Sequence, residues 1–284
     1  MPPPVVLVRS VDLPRSGRRA VVISLNRPKR HNCFNMQVIR ELSAAFRSVA
    51  EEVRRSAEAH GDGGGGHDLA AVVFTGEGRS FCAGADLTDP PSPLHQSSDL
   101  PHHLALNPVH HMGTVGVPVI AALKGHVVTG GFELALACDI LVGDATTRFR
   151  DTHVKFGLAP CWGLSQRLQR RVGPGRAQMV SLGAGAVGAQ QALGWGLLDD
   201  LAAEGTSALD RALEIADQIG TNNPAMVERY RRALVEGGAM DLARGLQRER
   251  ELGMAHYVEV VGDNSTFEGA KDFMNDKERP RSKL

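Results

Sequence analysis

The sequence predicts an α/β fold whose sheet is at least partly parallel. Short runs rich in apolar and β-branched residues, typical of buried strands, alternate with stretches that carry apolar residues at helical spacing. Beyond about residue 165 the pattern becomes mostly helical and ends in a polar segment rich in Glu, Arg and Lys. We therefore expect a mixed core over residues 1–200 and a helical region over residues 201–284 that serves in packing or assembly.

The individual elements follow from local patterns along the first half of the chain. Apolar residues at helical spacing predict a helix from residue 36 to about residue 53, and a second helix is predicted over residues 104–115. The glycine-rich stretch at 60–68 predicts a flexible surface insertion, and the Pro/Ser-rich stretch at 87–103 predicts a loop. The predicted strands are residues 5–8, 20–25, 70–75, 118–123, 140–143 and 148–150.

The composition excludes several functional classes. The 284 residues are 42% apolar and 23% charged, with a formal net charge of zero, which argues against a nucleic-acid or anionic-membrane binder. No apolar run approaches the ~20 residues that span a bilayer, and the N-terminus lacks the pattern of a secretory signal. The four cysteines, at 33, 82, 138 and 161, show no metal-ligand spacing and predict free thiols in a reducing compartment.

Two short motifs resemble ligand sites but lack the required context. Residues 183–188, GAGAVG, match a dinucleotide fingerprint, yet a helical stretch precedes them and no second strand follows, so we expect a turn between two helices. The histidines at 102, 103, 110 and 111 have no carboxylate or Cys ligand nearby in the sequence. They predict a polar rim segment, and we expect no metal site.

Two glycine-bearing loops carry the strongest chemical signal. FCAGADL (81–87) and VTGGFELA (128–135) each follow a predicted buried strand. Glycine lets backbone approach a ligand closely, and one N–H group from each loop could together hold an oxyanion. Glu133 beside them would then act as a general acid or base. The alternative is two structural turns and a carboxylate at a helix N-terminus.

Four segments occur in an order that resembles one known family. They are ISLNRPKRHN, VVFTGEGRSFCAGADL, VPVIAALKGHVVTGGFELALACDI and GLAPCWGLSQRLQRRVG. Over residues 5–260 the chain resembles the enoyl-CoA hydratase/isomerase (crotonase) superfamily, and it looks most like the monofunctional peroxisomal enoyl-CoA hydratases of plants and algae. The resemblance implies a spiral core of ββα repeats. It also implies a C-terminal helical region that forms trimers, which often pair into hexamers.

The resemblance also implies which residues form the site. Members bind an acyl-CoA thioester and hold its enolate with two backbone N–H groups, here those of Ala85 and Gly130. Glu133 matches the first of two glutamates that hydratases use. No metal or redox cofactor is implied, and coenzyme A enters only as part of the substrate. The residues expected to contact the substrate are Arg30, Cys33, Ala83, Asp86, Leu87 and Thr88.

The sequence departs from the family pattern at the second glutamate, whose position falls on His153. His153 could replace that acid, since imidazole titrates near neutrality. Asp151 could orient His153 or act itself, because residues i and i+2 share a face on a strand. Otherwise the site could bind thioesters with altered catalysis, or His153 could be structural. Cys161 stands where other members have glycine or a catalytic aspartate, and we expect it to be a small packing residue.

We therefore expect hydration of a trans-2-enoyl-CoA to a 3-hydroxyacyl-CoA in peroxisomal fatty-acid β-oxidation. The C-terminal tripeptide, residues 282–284 (SKL), matches the address that the peroxisomal import receptor binds. The alternatives are an enoyl-CoA double-bond isomerase, other enolate chemistry on CoA thioesters, or a non-catalytic acyl-CoA-binding protein.

Overall fold

A computed structural model describes residues 3–60, 68–89 and 105–260. The strands are β1 (Val6–Leu13), β2 (Arg18–Leu25), β3 (Leu69–Gly76), β4 (Val119–Leu123), β5 (His126–Val128), β6 (Ile140–Gly143), β7 (Arg148–Arg150), β8 (Ala186–Gly188) and β9 (Asp200–Leu201). The helices are α1 (Met36–His60), α2 (Pro108–Gly113), α3 (Gly130–Leu136), α4 (His153–Phe156), α5 (Leu164–Val172), α6 (Pro174–Gly183), α7 (Ala189–Trp195), α8 (Ala208–Gly220), α9 (Pro224–Gly238) and α10 (Leu242–Val260).

Two sheets form the core. The larger has six strands in the order β1-β2-β3-β4-β6-β9, and all its pairs are parallel except the β1–β2 hairpin. The smaller has the order β5-β7-β8, with β5 and β7 parallel and β8 antiparallel to β7. Each short turn from β4 to β5 and from β6 to β7 carries the chain from the large sheet to the small one. The predicted α/β class with a largely parallel sheet is confirmed.

Helices cover the large sheet on both faces. Strand β3 is buried along its whole length, as its uninterrupted apolar run predicts. Helix α1 buries an apolar stripe that includes Leu42 and Phe46 against one face. Helix α8 packs on the other face through an alanine seam, in which small side chains let the helix approach the strands closely. The seam comprises Ala208, Ala212 and Ala216 of the helix and Ala20, Ala70, Ala71 and Ala122 of the strands.

The boundaries of several predicted elements were wrong. Strand β1 runs to Leu13, beyond the predicted end at residue 8. The prediction was too short because several residues of this strand face solvent and interrupt the apolar run on which it relied. Helix α1 continues to His60. The Gly/Ala segment at 183–188 is not only a turn, since Ala186–Gly188 pairs with β7 as strand β8. The predicted insertion at 60–68 and loop at 87–103 lie largely outside the described residues.

The helical region is not uniform in its packing. The predicted boundary between residues 200 and 201 falls within β9, and α8 beyond it belongs to the sheet's core. Only α9 and α10 pack mainly on each other, with a set of apolar side chains left exposed. We call these side chains the α9–α10 apolar face: Met226, Tyr230, Leu234, Leu242, Leu246, Met254 and Tyr257. Within the described part of the chain, no helix is both long and apolar enough to cross a membrane.

Candidate active site

The parallel pairing of β5 and β7 brings the two predicted site segments together. Val128 pairs with Arg150, so the residues that follow each strand emerge side by side. The N–H of Thr129 donates to the Arg150 carbonyl at 2.9 Å, and the hydroxyls of Thr129 and Thr152 lie 2.5 Å apart. These bonds hold Thr129 at φ 51°, a conformation that a β-branched residue rarely adopts. The strained residue turns the chain directly into α3.

Glu133 lies in the first turn of α3. In the part of the chain that the structure describes, only one oxygen of its buried carboxylate accepts hydrogen bonds. Oε1 accepts hydrogen bonds from the backbone N–H groups of Trp162 (2.7 Å) and Leu164 (3.2 Å). Oε2 faces His153, whose Nε2 is 3.8 Å away. Burial raises the pKa of Glu133 above its ordinary value, and the two backbone hydrogen bonds only partly oppose this. A carboxylate with a raised pKa and one free oxygen is suited to proton transfer.

His153 begins α4 and is likewise anchored on one side. Its Nδ1 lies 2.7 Å from Asp151 Oδ1, and its backbone N–H donates to the same oxygen at 3.1 Å. Burial opposes ionisation of Asp151, but hydrogen bonds from His153 and Ser181 outweigh it and hold the pKa of Asp151 below its usual range. The strand argument for this contact was wrong: β7 ends at Arg150, and a tight turn brings the two side chains together.

The two predicted oxyanion donors lie on adjoining loops. Phe34 pairs with the segment around Ala85 through the Gly84 carbonyl and the Asp86 N–H, at 2.9 Å each, which leaves the Ala85 N–H outside the pairing. Among the described residues, neither the Ala85 nor the Gly130 N–H has a hydrogen-bond acceptor. A Cβ built on Gly84 would lie 3.9 Å from the Gly130 nitrogen, so the loops are in contact.

The glycine pair at the start of α3 is required by packing as well. A Cβ on Gly130 would lie 2.5 Å from the Phe34 ring, and one on Gly131 would lie 2.4 Å from the Cys82 carbonyl oxygen. Both distances are far below van der Waals contact. The sequence explained these glycines by the approach of a ligand. The structure shows that the protein's own side chains and backbone already need the space.

A cleft of about 780 Å³ opens beside the two loops. Of the six predicted substrate-contact residues, Thr88 is not among those that line the cleft. The five that do are Arg30, Cys33, Ala83, Asp86 and Leu87. Thr129 and Thr152 also line it, whereas the buried Glu133 and His153 are not among its lining residues. His153 directly follows Thr152, and Glu133 lies one helical turn beyond Thr129, whose carbonyl accepts its N–H. Further basic side chains border the same cleft: Lys29, Arg148 and Arg150.

Asp86 already has partners within the protein. Its carboxylate accepts from Arg27 Nη2 at 2.8 Å and from the Thr88 N–H and hydroxyl at 3.1 and 2.7 Å. Burial opposes ionisation, but these hydrogen bonds prevail and hold the pKa of Asp86 below its usual range. Thr88 also accepts from Arg30 at 3.0 Å. Asp86 and Thr88 therefore brace the loop that carries Ala85.

Sequence reasoning missed the groups that anchor Glu133. Trp162 and Leu164 contribute backbone N–H groups, which leave no side-chain signature. The one local signal is Gly163 between them, whose φ of 105° turns both N–H groups toward the carboxylate. Arg27 was also missed as a partner of Asp86, although it lies in a loop that the sequence singled out.

The cysteines and histidines outside this cluster were predicted with mixed success. Cys82 and Cys138 are buried as predicted, but Cys161 is exposed and is not a packing residue. Burial and nearby Glu133 raise the pKa of the Cys161 thiol, which disfavours the nucleophilic thiolate. His111 bonds to the Ala105 carbonyl, and the histidines at 102 and 103 lie outside the described residues. Nowhere in residues 3–60, 68–89 and 105–260 do three or more potential metal ligands converge.

Comparison with known proteins establishes the family. The family model for enoyl-CoA hydratase/isomerase matches residues 17–280, almost the whole chain. This chain belongs to the enoyl-CoA hydratase/isomerase family. The predicted crotonase-like fold is thereby confirmed, and the protein is a member of a family of enzymes.

Individual members of the family are similar along their full length. The probable enoyl-CoA hydratase 1, peroxisomal, of Arabidopsis thaliana is 36% identical over 276 residues, covering 96% of this chain and 97% of that protein. The short-chain-enoyl-CoA hydratase of Clostridium acetobutylicum is 30% identical, covering 94% of each. The crystal structure of enoyl-CoA hydratase from Mycobacterium tuberculosis H37Rv superimposes with a TM-score of 0.77 at 29% identity, covering 98% of each chain.

Proposed function

We propose that this family member hydrates trans-2-enoyl-CoA thioesters to 3-hydroxyacyl-CoA. The observation that carries the proposal is the facing pair of Glu133 Oε2 and His153 Nε2, 3.8 Å apart. Close to this pair are two backbone N–H groups that have no hydrogen-bond acceptor among the described residues. Two proton-transfer groups and an oxyanion site are what addition of water to an activated double bond requires. The names of the Arabidopsis and Clostridium relatives support the same activity.

The proposed mechanism begins at the thioester carbonyl. The Ala85 and Gly130 N–H groups would bind its oxygen, draw charge from the double bond and make C3 electrophilic. One such donor is worth about 3 to 4 kcal/mol of transition-state stabilisation. Glu133 would accept a proton from water as the water oxygen bonds to C3 and the π electrons move toward the carbonyl. His153 would then deliver a proton to C2 as the enolate collapses.

Hydration is favoured over double-bond isomerisation because, of the two glutamates in the family pattern, this chain retains the first. In the family pattern, the second glutamate is the sole base of many isomerases, and here that position is His153. The glutamate on the glycine-pair helix, which hydratases use together with it, is present as Glu133 and is well anchored. The site thus keeps the carboxylate that would accept a proton from water in the proposed hydration.

The substrate would enter through the cleft, with its coenzyme A part along the loops of Arg30, Cys33, Ala83 and Leu87. The bordering basic side chains Lys29, Arg148 and Arg150 suit an anionic ligand such as a CoA phosphate. The proposed steps are proton transfers and charge stabilisation within one substrate and water. They call on no metal or redox cofactor, and coenzyme A takes part only as the substrate's carrier.

We further propose a peroxisomal location and self-assembly. The tripeptide SKL at residues 282–284 matches the peroxisomal address, and the Arabidopsis relative is named as peroxisomal. Fatty-acid β-oxidation is then the setting for the activity. The α9–α10 apolar face exposes large apolar side chains of the kind that oligomers bury, which supports a homotrimer or hexamer.

Turnover of crotonyl-CoA tests the proposed activity. Purified full-length protein should remove the enoyl absorbance and form 3-hydroxybutyryl-CoA in the absence of added cofactor. Conversion of 3-enoyl-CoA to 2-enoyl-CoA without hydration would instead identify an isomerase. Thioester binding without any turnover would identify a binding protein.

A further inference from the structure

We propose that Asp151 is a positioning residue that fixes the proton on Nδ1 of His153, so that Nε2 alone exchanges protons at the reacting centre. This assignment rests on the proposed function and deepens it. It replaces the two-carboxylate arrangement of the family with one carboxylate and a carboxylate-oriented imidazole. Its support is a set of hydrogen bonds to Asp151 that places one proton on Nδ1 of His153.

The first step is the state of Asp151. Its side chain is buried, and Oδ1 accepts both the backbone N–H and the Nδ1 of His153. Ser181 on α6 also bonds to the carboxylate. An ionised carboxylate has only acceptor atoms, and its hydrogen-bond partners hold the pKa of Asp151 low. The 2.7 Å contact is therefore a hydrogen bond that Nδ1–H donates.

The second step concerns the nitrogen that remains. With Nδ1 committed to Asp151, Nε2 is the available edge of the imidazole, and it faces Glu133 Oε2 at 3.8 Å. That separation exceeds a direct hydrogen bond, which spans about 2.7 to 3.2 Å. Glu133 Oε1 is meanwhile held by two backbone N–H groups. Each side chain thus has one anchored atom and one uncommitted atom, and the uncommitted atoms face each other.

With this arrangement, every proton that moves during hydration can be accounted for over one catalytic cycle. Hydration in this direction requires that Glu133 be ionised and that Nε2 of His153 carry a proton when the cycle begins. Glu133 takes one proton from water, whose oxygen bonds to C3, and Nε2–H gives its proton to C2, which leaves a neutral imidazole still bonded to Asp151 through Nδ1–H. The proton on Glu133 then passes to Nε2 and restores the starting state. The net change is addition of one water molecule.

The kinetic test replaces Asp151 with asparagine. Asn can turn its amide N–H toward Nδ1 and stabilise the opposite tautomer, so kcat on crotonyl-CoA should fall by about 10²-fold or more with little change in KM. Asp217→Asn is the matched control. Asp217 is a buried carboxylate, remote in the fold, that accepts two backbone N–H groups, and its loss should affect stability but leave kcat unchanged.

A double-mutant cycle separates positioning from a general structural effect. If Asp151 acts through His153, then Asp151→Asn should have little further effect on kcat in a His153→Gln background. Equal fold-losses in the wild-type and His153→Gln backgrounds would overturn the proposal. A loss that appears in KM and thermal stability, with kcat intact, would overturn it as well.

Histidine-selective ¹⁵N NMR provides a readout that does not depend on turnover. At a pH where the imidazole is neutral, the His153 signals, assigned by their absence in His153→Gln, should show protonated Nδ1 and bare Nε2. In Asp151→Asn the Nε2–H tautomer should become populated. A wild-type signal with bare Nδ1 would overturn the assignment of Asp151, whereas the predicted tautomer in a protein inactive on crotonyl-CoA would overturn only the proposed function.

Discussion

Replacing Glu133 with glutamine removes a proton-accepting oxygen while keeping the shape of the side chain. General acid–base groups contribute about 10²- to 10⁴-fold to rate, which corresponds to about 2.7 to 5.5 kcal/mol of transition-state free energy. We expect kcat for crotonyl-CoA hydration to fall by that factor in Glu133→Gln. The apparent affinity for the thioester should change little, because the proposed contacts of Ala85 and Gly130 with the carbonyl are made by backbone groups that the substitution leaves in place.

The structure supports the assumption that the variant keeps its fold. Glutamine Oε1 can still accept the hydrogen bonds from Trp162 and Leu164 that hold Glu133. Glu41→Gln is a matched control, because Glu41 Oε2 likewise accepts two backbone N–H groups, from Val5 (2.9 Å) and Val6 (3.0 Å). The control should lose little activity, and any loss of stability in it would report what a Glu-to-Gln change costs at such an anchor.

The raised pKa of Glu133 fixes the direction of two pH effects. Burial disfavours the charged form, so the protonated form favours the folded state; this contribution is present below the unfolded pKa of about 4.3 and is lost as pH rises through the folded value. At neutral pH, Glu133→Gln should therefore be at least as stable as the wild type in thermal unfolding. The acidic limb of the wild-type kcat/KM profile should lie above pH 4.3.

The assay follows loss of enoyl absorbance with purified wild type, Glu133→Gln and Glu41→Gln at matched concentrations. Full activity in Glu133→Gln would refute the proton-transfer role and leave only thioester binding for this site. Equal activity losses in Glu133→Gln and Glu41→Gln would show that the effect is on the fold rather than on chemistry.

Deleting residues 282–284 should leave a tagged protein in the cytosol, and peroxisomal import of the truncated chain would contradict the targeting assignment. Light scattering at micromolar concentration should give the mass of three or six chains, because the α9–α10 apolar face is large; the mass of one chain would contradict self-assembly. Gly130→Ala should cost about 1 to 3 kcal/mol of stability and reduce turnover, since its Cβ would clash with Phe34. Gly175→Ala, which adds a methyl group in open space, should leave both unchanged.

The sequence predicted the elements that depend on continuous apolar runs. Strands β3 and β4 were found because both of their faces are buried. The extent of β1 was underestimated because half of its residues face solvent and carry Arg, Ser and Asp. Strands β8 and β9 have three and two residues, too few for any periodicity to appear.

The loops of the candidate site could be predicted from the sequence, but the hydrogen bonds and distances between its residues could not. Glycine pairs and a lone acid in an apolar helix give a visible pattern around Glu133. The distance between Glu133 and His153 depends on the register of β5 against β7, which no local pattern specifies. The contact between Asp151 and His153 was considered from the sequence, but its geometry comes from a turn rather than a strand. Backbone donors such as the Trp162 N–H carry no residue-type signal.

The alanine seam beneath α8 has a consequence for how the chain is made. Strands in the large sheet are neighbours in the order of the sequence, so the sheet can assemble strand by strand as synthesis proceeds from the N-terminus. The helix that covers one face is not made until residues 208–220. Until then the nascent sheet presents an apolar surface with unpaired strand edges to other chains. We expect molecular chaperones to engage the nascent chain during that interval, and products that terminate between β9 and α8 to aggregate.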